Sequence, residues 1–200
     1  GATAIAVDET GPTSATYTVV LDTEPTADVT VAIATADGQT TALPASLTFT
    51  SLDWMTPQTV TVTAVNDPYD EAATHTGLVT HTSTSADTHY AALTIDDQAI
   101  DITDNDTAGI TVTPTSGLLL DEATIGTTQS FTVVLDTQPI GDVVVDLTTP
   151  DGQTTVAPAT LTFTPGLWHA AQTVTVTVVD DFVDEATPHA GDVIIDASSI

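Results

Sequence analysis

One block of this chain occurs twice. Tyr17 to His75 and Phe131 to His189 align without a gap at a shift of 114, and 35 of the 59 positions are identical. The turn Asp37-Gly38-Gln39-Thr40-Thr41 recurs as Asp151-Gly152-Gln153-Thr154-Thr155, and Asp8-Glu9 corresponds to Asp121-Glu122 once one residue is inserted in the second copy. Self-similarity at this length means two copies of one folding unit, so any fold must be built once in about half the chain and then repeated. The expected domains are residues 1–106 and 107–200, joined by the short acidic connector Ile102-Thr-Asp-Asn-Asp-Thr-Ala-Gly109.

Within a copy the period is two. Gln58-Thr-Val-Thr-Val-Thr-Ala-Val65 alternates an inward Val with an outward Thr, the pattern of a half-buried strand. Helical periodicity is absent, and breakers at Glu24-Pro25, Asp37-Gly38, Leu43-Pro44, Thr56-Pro57 and Asp67-Pro68 separate the runs. The first copy thus predicts seven strands, at residues 2–7, 15–21, 29–35, 46–49, 59–65, 77–83 and 93–102. The fold class is all-β: two tandem seven-stranded antiparallel immunoglobulin-like sandwiches. Trp54 and Trp168, each just before a strand, are expected to plug the cores. Ile200 aligns with Ala86, so the second copy is expected to lack its last strand. Either the chain is cut from a longer array, or a neighbouring subunit supplies the strand by β-augmentation.

Charge narrows the function. The sequence holds 28 Asp and Glu, 5 His, no Cys and no Lys or Arg, for a formal charge of -28. Without cations, nothing neutralises phosphate, so nucleic-acid binding, P-loop chemistry and attraction to anionic membranes are excluded. No apolar run is long enough for a membrane-spanning helix, and Gly1-Ala2-Thr3 does not open a signal peptide. The carboxylates must stay in water, take up protons or bind cations.

The acids gather at matching places. A Val-rich strand runs into Asn66-Asp67-Pro68-Tyr69-Asp70-Glu71 in one copy and Asp180-Asp181-Phe182-Val183-Asp184-Glu185 in the other. Further acids recur at Glu9 and Glu122 after the first strand and at Asp37 and Asp151 in the Asp-Gly turn, with Asp104-Asn105-Asp106 leaving the first copy. Loops after alternate strands of a sandwich meet at one end, which would place these acids in one cluster at the domain junction. Calcium, which takes six to eight oxygens from flexible loops, is the natural partner. Each loop taken singly also reads as a solvated turn, since Asp-Gly forms turns without metal.

Leu161-Thr-Phe-Thr-Pro-Gly166, Gln172-Thr-Val-Thr-Val-Thr-Val-Val-Asp-Asp181 and Glu185, with Asp121-Glu122 upstream, resemble a Calx-beta domain. The likeness spans nearly all of both copies. It implies a seven-stranded sandwich with calcium in its distal loops, held by Glu9, Asp37, Asp67, Glu71, Asp104 and Asp106 in the first copy. In the second it implies Glu122, Asp151, Asp180, Asp181 and Glu185, with no exit acids to complete the site. Compared with the second copy, Asn66 replaces the first acid of the loop and Pro68 stiffens it, so the first copy is expected to bind fewer or weaker ions.

The acids repeat in both copies on short loops with no cleft-building insertion, so a paired-carboxylate glycosidase is disfavoured and no enzyme is expected. His75 and His189 recur beside the acidic loop and read as structural or surface residues rather than ligands. The expected function is a non-enzymatic module of an extracellular fibre, filament or adhesin at the cell surface, made rigid by calcium and partnered by neighbouring copies, with strand donation as one mode of assembly. Two alternatives stand beside it: a calcium-sensing regulatory pair, and a carbohydrate- or partner-binding module using Trp54, Trp168 and Tyr69.

Overall fold

The computed structural model describes residues 3–122, 124, 127–180 and 190–199. All regular structure among them is β, in fifteen strands, and none of it is helix, so no helix there is long and apolar enough to cross a membrane. The chain divides into two compact units: residues 1–67 with 71–106, and residues 68–70 with 107–200.

Unit 1 is two sheets around one core. The larger contains β1 (Ile5–Asp8), β8 (Gln98–Thr103), β7 (Thr74–Ser85), β3 (Val29–Thr35) and β5 (Ser46–Phe49), in that order. The smaller orders β2 (Ser14–Val19), β6 (Gln58–Ala64) and β4 (Thr40–Leu43). Every pairing is antiparallel except β1 on β8, where Ile5 lies opposite Ile100 and Val7 opposite Ile102. Val29, Val31, Phe49, Val79, Ile100 and Ile102 from the large sheet and Val60, Val62 and Ala64 from the small one close on each other as a dry cluster. This is a β-sandwich, held by the alternation that buries one side chain in two along each strand.

Eight strands stand where seven were expected. Thr40–Leu43 was missed because Thr-Thr-Ala-Leu has no Val or Ile to betray a strand, and its buried member is Thr40, 2% exposed. Pro44 follows at once and offers no N–H. Here the chain changes sheets: β4 pairs with β6, and β5 pairs with β3. The last strand is also shorter than expected, since residues 93–97 lead into Gln98 as irregular chain.

Unit 2 repeats the plan. One sheet orders β12 (Thr154–Ala157), β14 (Gln172–Val178), β10 (Thr128–Leu135) and β9 (Ile110–Thr113); the other orders β13 (Thr160–Phe163), β11 (Val143–Thr148) and β15 (Ile194–Ser199). Phe131, Val133, Leu135, Val174 and Val176 pack on Val145, Leu147, Leu161 and Phe163. Two differences from unit 1 concern the first strand. Residues 118–121, which align with β1, form no strand, and β9 lies antiparallel on β10 with Ile110 opposite Leu135 and Val112 opposite Val133.

Trp54 and Trp168 are half-buried, not full core plugs. Trp168 flanks the unit 2 core, and the backbone carbonyl of Trp54 accepts a hydrogen bond from Leu21 N at 3.2 Å.

Candidate metal centre

Strand parity carries an acid into the core. Along β1, Ile5 and Val7 face inward, and Glu9 follows two residues later on the same face. Its backbone N donates to Thr103 O at 3.1 Å, continuing the ladder to β8, while Thr13 N returns to Asp8 O at 2.8 Å as the chain turns into β2. Glu9 is therefore wholly buried, at 0% exposure, and neither carboxylate oxygen has a hydrogen-bond partner. A buried ionised carboxylate without partners costs several kcal/mol, on the order of a large share of a domain's stability. No Lys or Arg exists to pair with it, so among the side chains only a protonated histidine could offer a positive charge.

Two other segments deliver acids to the same end, and a third delivers a histidine. The loop from β6 to β7 brings Asp67 and Glu71, β7 begins with Thr74 and His75, and the chain leaves β8 through Asp104 and Asp106. Hydrogen bonds organise them: Glu71 N donates to Asp104 Oδ2 at 2.9 Å, Asp106 N to Asp104 Oδ1 at 3.0 Å, and Gln39 Nε2 to Glu71 Oε1 at 2.8 Å. Asn105 Nδ2 donates to Asn66 Oδ1 at 2.7 Å, tying the exit segment to the β6–β7 loop. The amide at position 66 thus holds a loop where an acid would add repulsion.

Two overlapping triads share Glu9. Ligand atoms of Glu9, Asp104 and Asp106 lie within 4.8 Å of one another, and so do those of Glu9, Glu71 and His75. Oxygens each 2.3–2.6 Å from a calcium ion stand at most about 5 Å apart, so the oxygen-only triad is close enough to share one. The second triad adds an imidazole, a donor suited to zinc and its neighbours. His75 Nε2 stands 3.2 Å from Glu71 Oε2, and its Nδ1 is buried without a hydrogen-bond partner.

The electrostatics carry the same message. Burial pushes the Glu9 carboxyl up to about 7, with the charges of Asp67, Asp104 and Glu71 adding to the push and His75 opposing it. Glu71 is also raised, first by burial, then by Asp67 and Asp104, against the opposing pull of His75 and the Gln39 hydrogen bond. Glu9 therefore has three ways to settle: take a proton, unfold its surroundings, or hold a cation.

The structure does not bring all the sequence candidates together. Asp67, half-buried, is near enough to act on Glu9, but Asp37 is exposed and accepts from Gln39 N at 3.1 Å in a turn closed by Gly38 at φ +83°. In unit 2, Glu122 is half-buried and Asp180 exposed. Asp151 accepts from Gln153 N and, at 2.7 Å, from Asp192 N. Asp181 and Glu185 lie outside the described residues. Among the described residues both triads are in unit 1. His75 is what the sequence reading passed over. Its recurrence beside an acidic loop in both copies was the available signal.

No protein-family profile matches the chain, and no curated protein does. Among solved structures, it is similar to CBD12 from CALX1.2, at 16% identity over 96% of this chain and 76% of that one, with a TM-score of 0.38. The CupB2 chaperone of Pseudomonas aeruginosa is similar at 8% identity over 100% and 98% of the two chains, with a TM-score of 0.41. The D0-D1 domain of intimin is similar at 15% identity over 90% of each, with a TM-score of 0.33. At these values the fold rests on the strand pairing and cores described above.

Proposed function

We propose that the chain is a non-enzymatic structural module of an extracellular fibre or adhesin, and that calcium completes the acidic end of unit 1. The observation that carries this reading is Glu9, wholly buried with both oxygens unpartnered, facing Asp104 and Asp106 in a chain with no Lys or Arg. Glu9, Asp104 and Asp106 would supply the oxygens on one side of the ion, with Glu71 and Asp67 beside them. One divalent ion would offset two carboxylate charges and remove the cost of burying Glu9. Because Asp104 and Asp106 are the residues by which the chain leaves unit 1, the ion would also fix the exit of the connector. The exposed Thr-rich faces and the absence of Lys and Arg suit a surface protein with no site for trypsin-like proteases.

Isothermal titration with calcium tests the reading. The account expects saturable binding that Glu9→Gln abolishes or weakens at least tenfold. Binding that Glu9→Gln leaves intact would refute it. Filling only near millimolar calcium favours the structural role, and filling near micromolar would favour a sensor instead.

A further inference from the structure

The same six residues, Thr-Val-Val-Leu-Asp-Thr, occupy 18–23 and 132–137. In unit 2 they are covered by β9: Val133 is 0% exposed, and Leu135 and Thr137 are 7%. Asp136 N donates to Gly109 O at 2.9 Å, Thr111 Oγ1 to Asp136 Oδ1 at 2.7 Å, and Thr132 Oγ1 to Thr113 O at 3.3 Å. In unit 1, β2 is an edge strand whose pairing among the described residues is with β6 alone. Val19 and Leu21 are only half-buried, Thr23 is exposed, and Val20 is 42% exposed. Beside this edge opens a cavity of about 380 Å3 lined by Val19, Leu21, Tyr90, Leu93 and Ile95 among others.

We propose that this edge and cavity seat an extended strand of the Ile110-Thr-Val-Thr113 type, supplied by another repeat. It docks antiparallel on Thr18-Val19-Val20-Leu21, its Ile opposite Leu21 and its Val opposite Val19. The register is that of β9 on β10, transferred through the repeat. Parity supports it: Leu21 N points to the β6 side, where it meets Trp54 O in the turn that leads into β6, so the N–H groups of Thr18, Val20 and Asp22 face the open edge. The alternating side chains give the specificity, two apolar groups entering the cavity and two threonines facing water, as in strand addition generally. A helical partner cannot meet the row of backbone donors, and the apolar part of the lining, Val19, Leu21, Leu93 and Ile95, calls for apolar side chains.

The test adds the strand in cis to the whole chain. Pro114 aligns with Gly1 when Asp121-Glu122 is set on Asp8-Glu9, so the ten residues of 104–113 are placed directly ahead of Gly1 with no linker. Amide exchange at Thr18, Val20 and Asp22 is expected to slow at least tenfold, and a control extension with Asp in place of its Ile and Val should leave it unchanged. Exchange that is unaffected by the extension, or slowed equally by both extensions, overturns the proposal. Sedimentation of the unextended chain supplies a second measurement. A monomer is expected, and a dimer with those three amides already protected would mean that a second copy takes the edge instead.

Discussion

Glu9 and Glu122 each close an Asp-Glu pair at the matched place near the start of their copy, yet one is wholly buried and the other half-buried. The difference lies in the strand each residue rides on. β1 pairs with β8, and the ladder carries Glu9 inward behind Val7. Residues 118–121 form no strand, so nothing draws Glu122 into the core. The tract shared by β2 and β10 teaches the same lesson, since identical residues are exposed or buried according to which strand lies alongside. Local sequence sets the strand; the partner strand sets what the side chain meets.

The largest expected effects test whether each copy owns its core. Phe49 and Phe163 are matched residues, both 0% exposed, one in each hydrophobic cluster. Truncating either to Ala should cost roughly 3–5 kcal/mol, mostly as a cavity. Calorimetry should show Phe49→Ala lowering one transition and Phe163→Ala the other; a single substitution that lowers both equally would deny that the cores are separate.

The buried carboxylate should then separate the copies by pH. Glu9 is raised in the fold to about 7 from an ordinary 4.5, so the folded state binds the extra proton between those values. Stability without divalent ions should therefore fall as pH rises from about 4.5 to 7, by at most about 3.5 kcal/mol at about 1.4 kcal/mol per pH unit. Denaturant melts in chelator at pH 5 and pH 8 measure this. Glu9→Gln should reduce the slope, leaving the part due to Glu71, which is also raised, and Glu122→Gln should leave it in place. A slope undiminished by Glu9→Gln locates the proton elsewhere.

A smaller contrast concerns the shared tract. Val134 lies half-buried beside β9 and Val20 lies exposed at the open edge. Val134→Lys should cost about 1 kcal/mol, whereas Val20→Lys should fall within about 0.5 kcal/mol of zero. Equal costs in denaturant melts would mean that β9 adds no cover.

Much of this was legible beforehand. The Thr/Val alternation of residues 58–65 marks β6 and, through the repeat, β14, because period two needs only an inside and an outside. β4 was not legible, since its buried member is a threonine and the sheet it joins is decided by β6. At the acidic end, the recurring acids Glu9 and Glu71 and the exit acids Asp104 and Asp106 were candidates from the sequence, and all four fall in the two triads. What distinguishes Glu9 from Asp37 is inward parity on a paired strand against exposure in a turn, and that depends on β8, far away in sequence. His75 reads from sequence as a structural or surface residue even though it recurs as His189, because recurrence alone does not show what an imidazole faces; Glu71 and Glu9 beside it make it a ligand candidate.

The most direct test is the melting temperature of unit 1 in calcium and in chelator, for the natural sequence and for Glu9→Gln. A cation held only by the folded state adds about 2.7 kcal/mol at a hundredfold excess over its dissociation constant. The account predicts a calcium-dependent rise in the transition that Phe49→Ala identifies as that of unit 1, lost in Glu9→Gln. Equal melting with and without calcium, or an undiminished rise in Glu9→Gln, would contradict it.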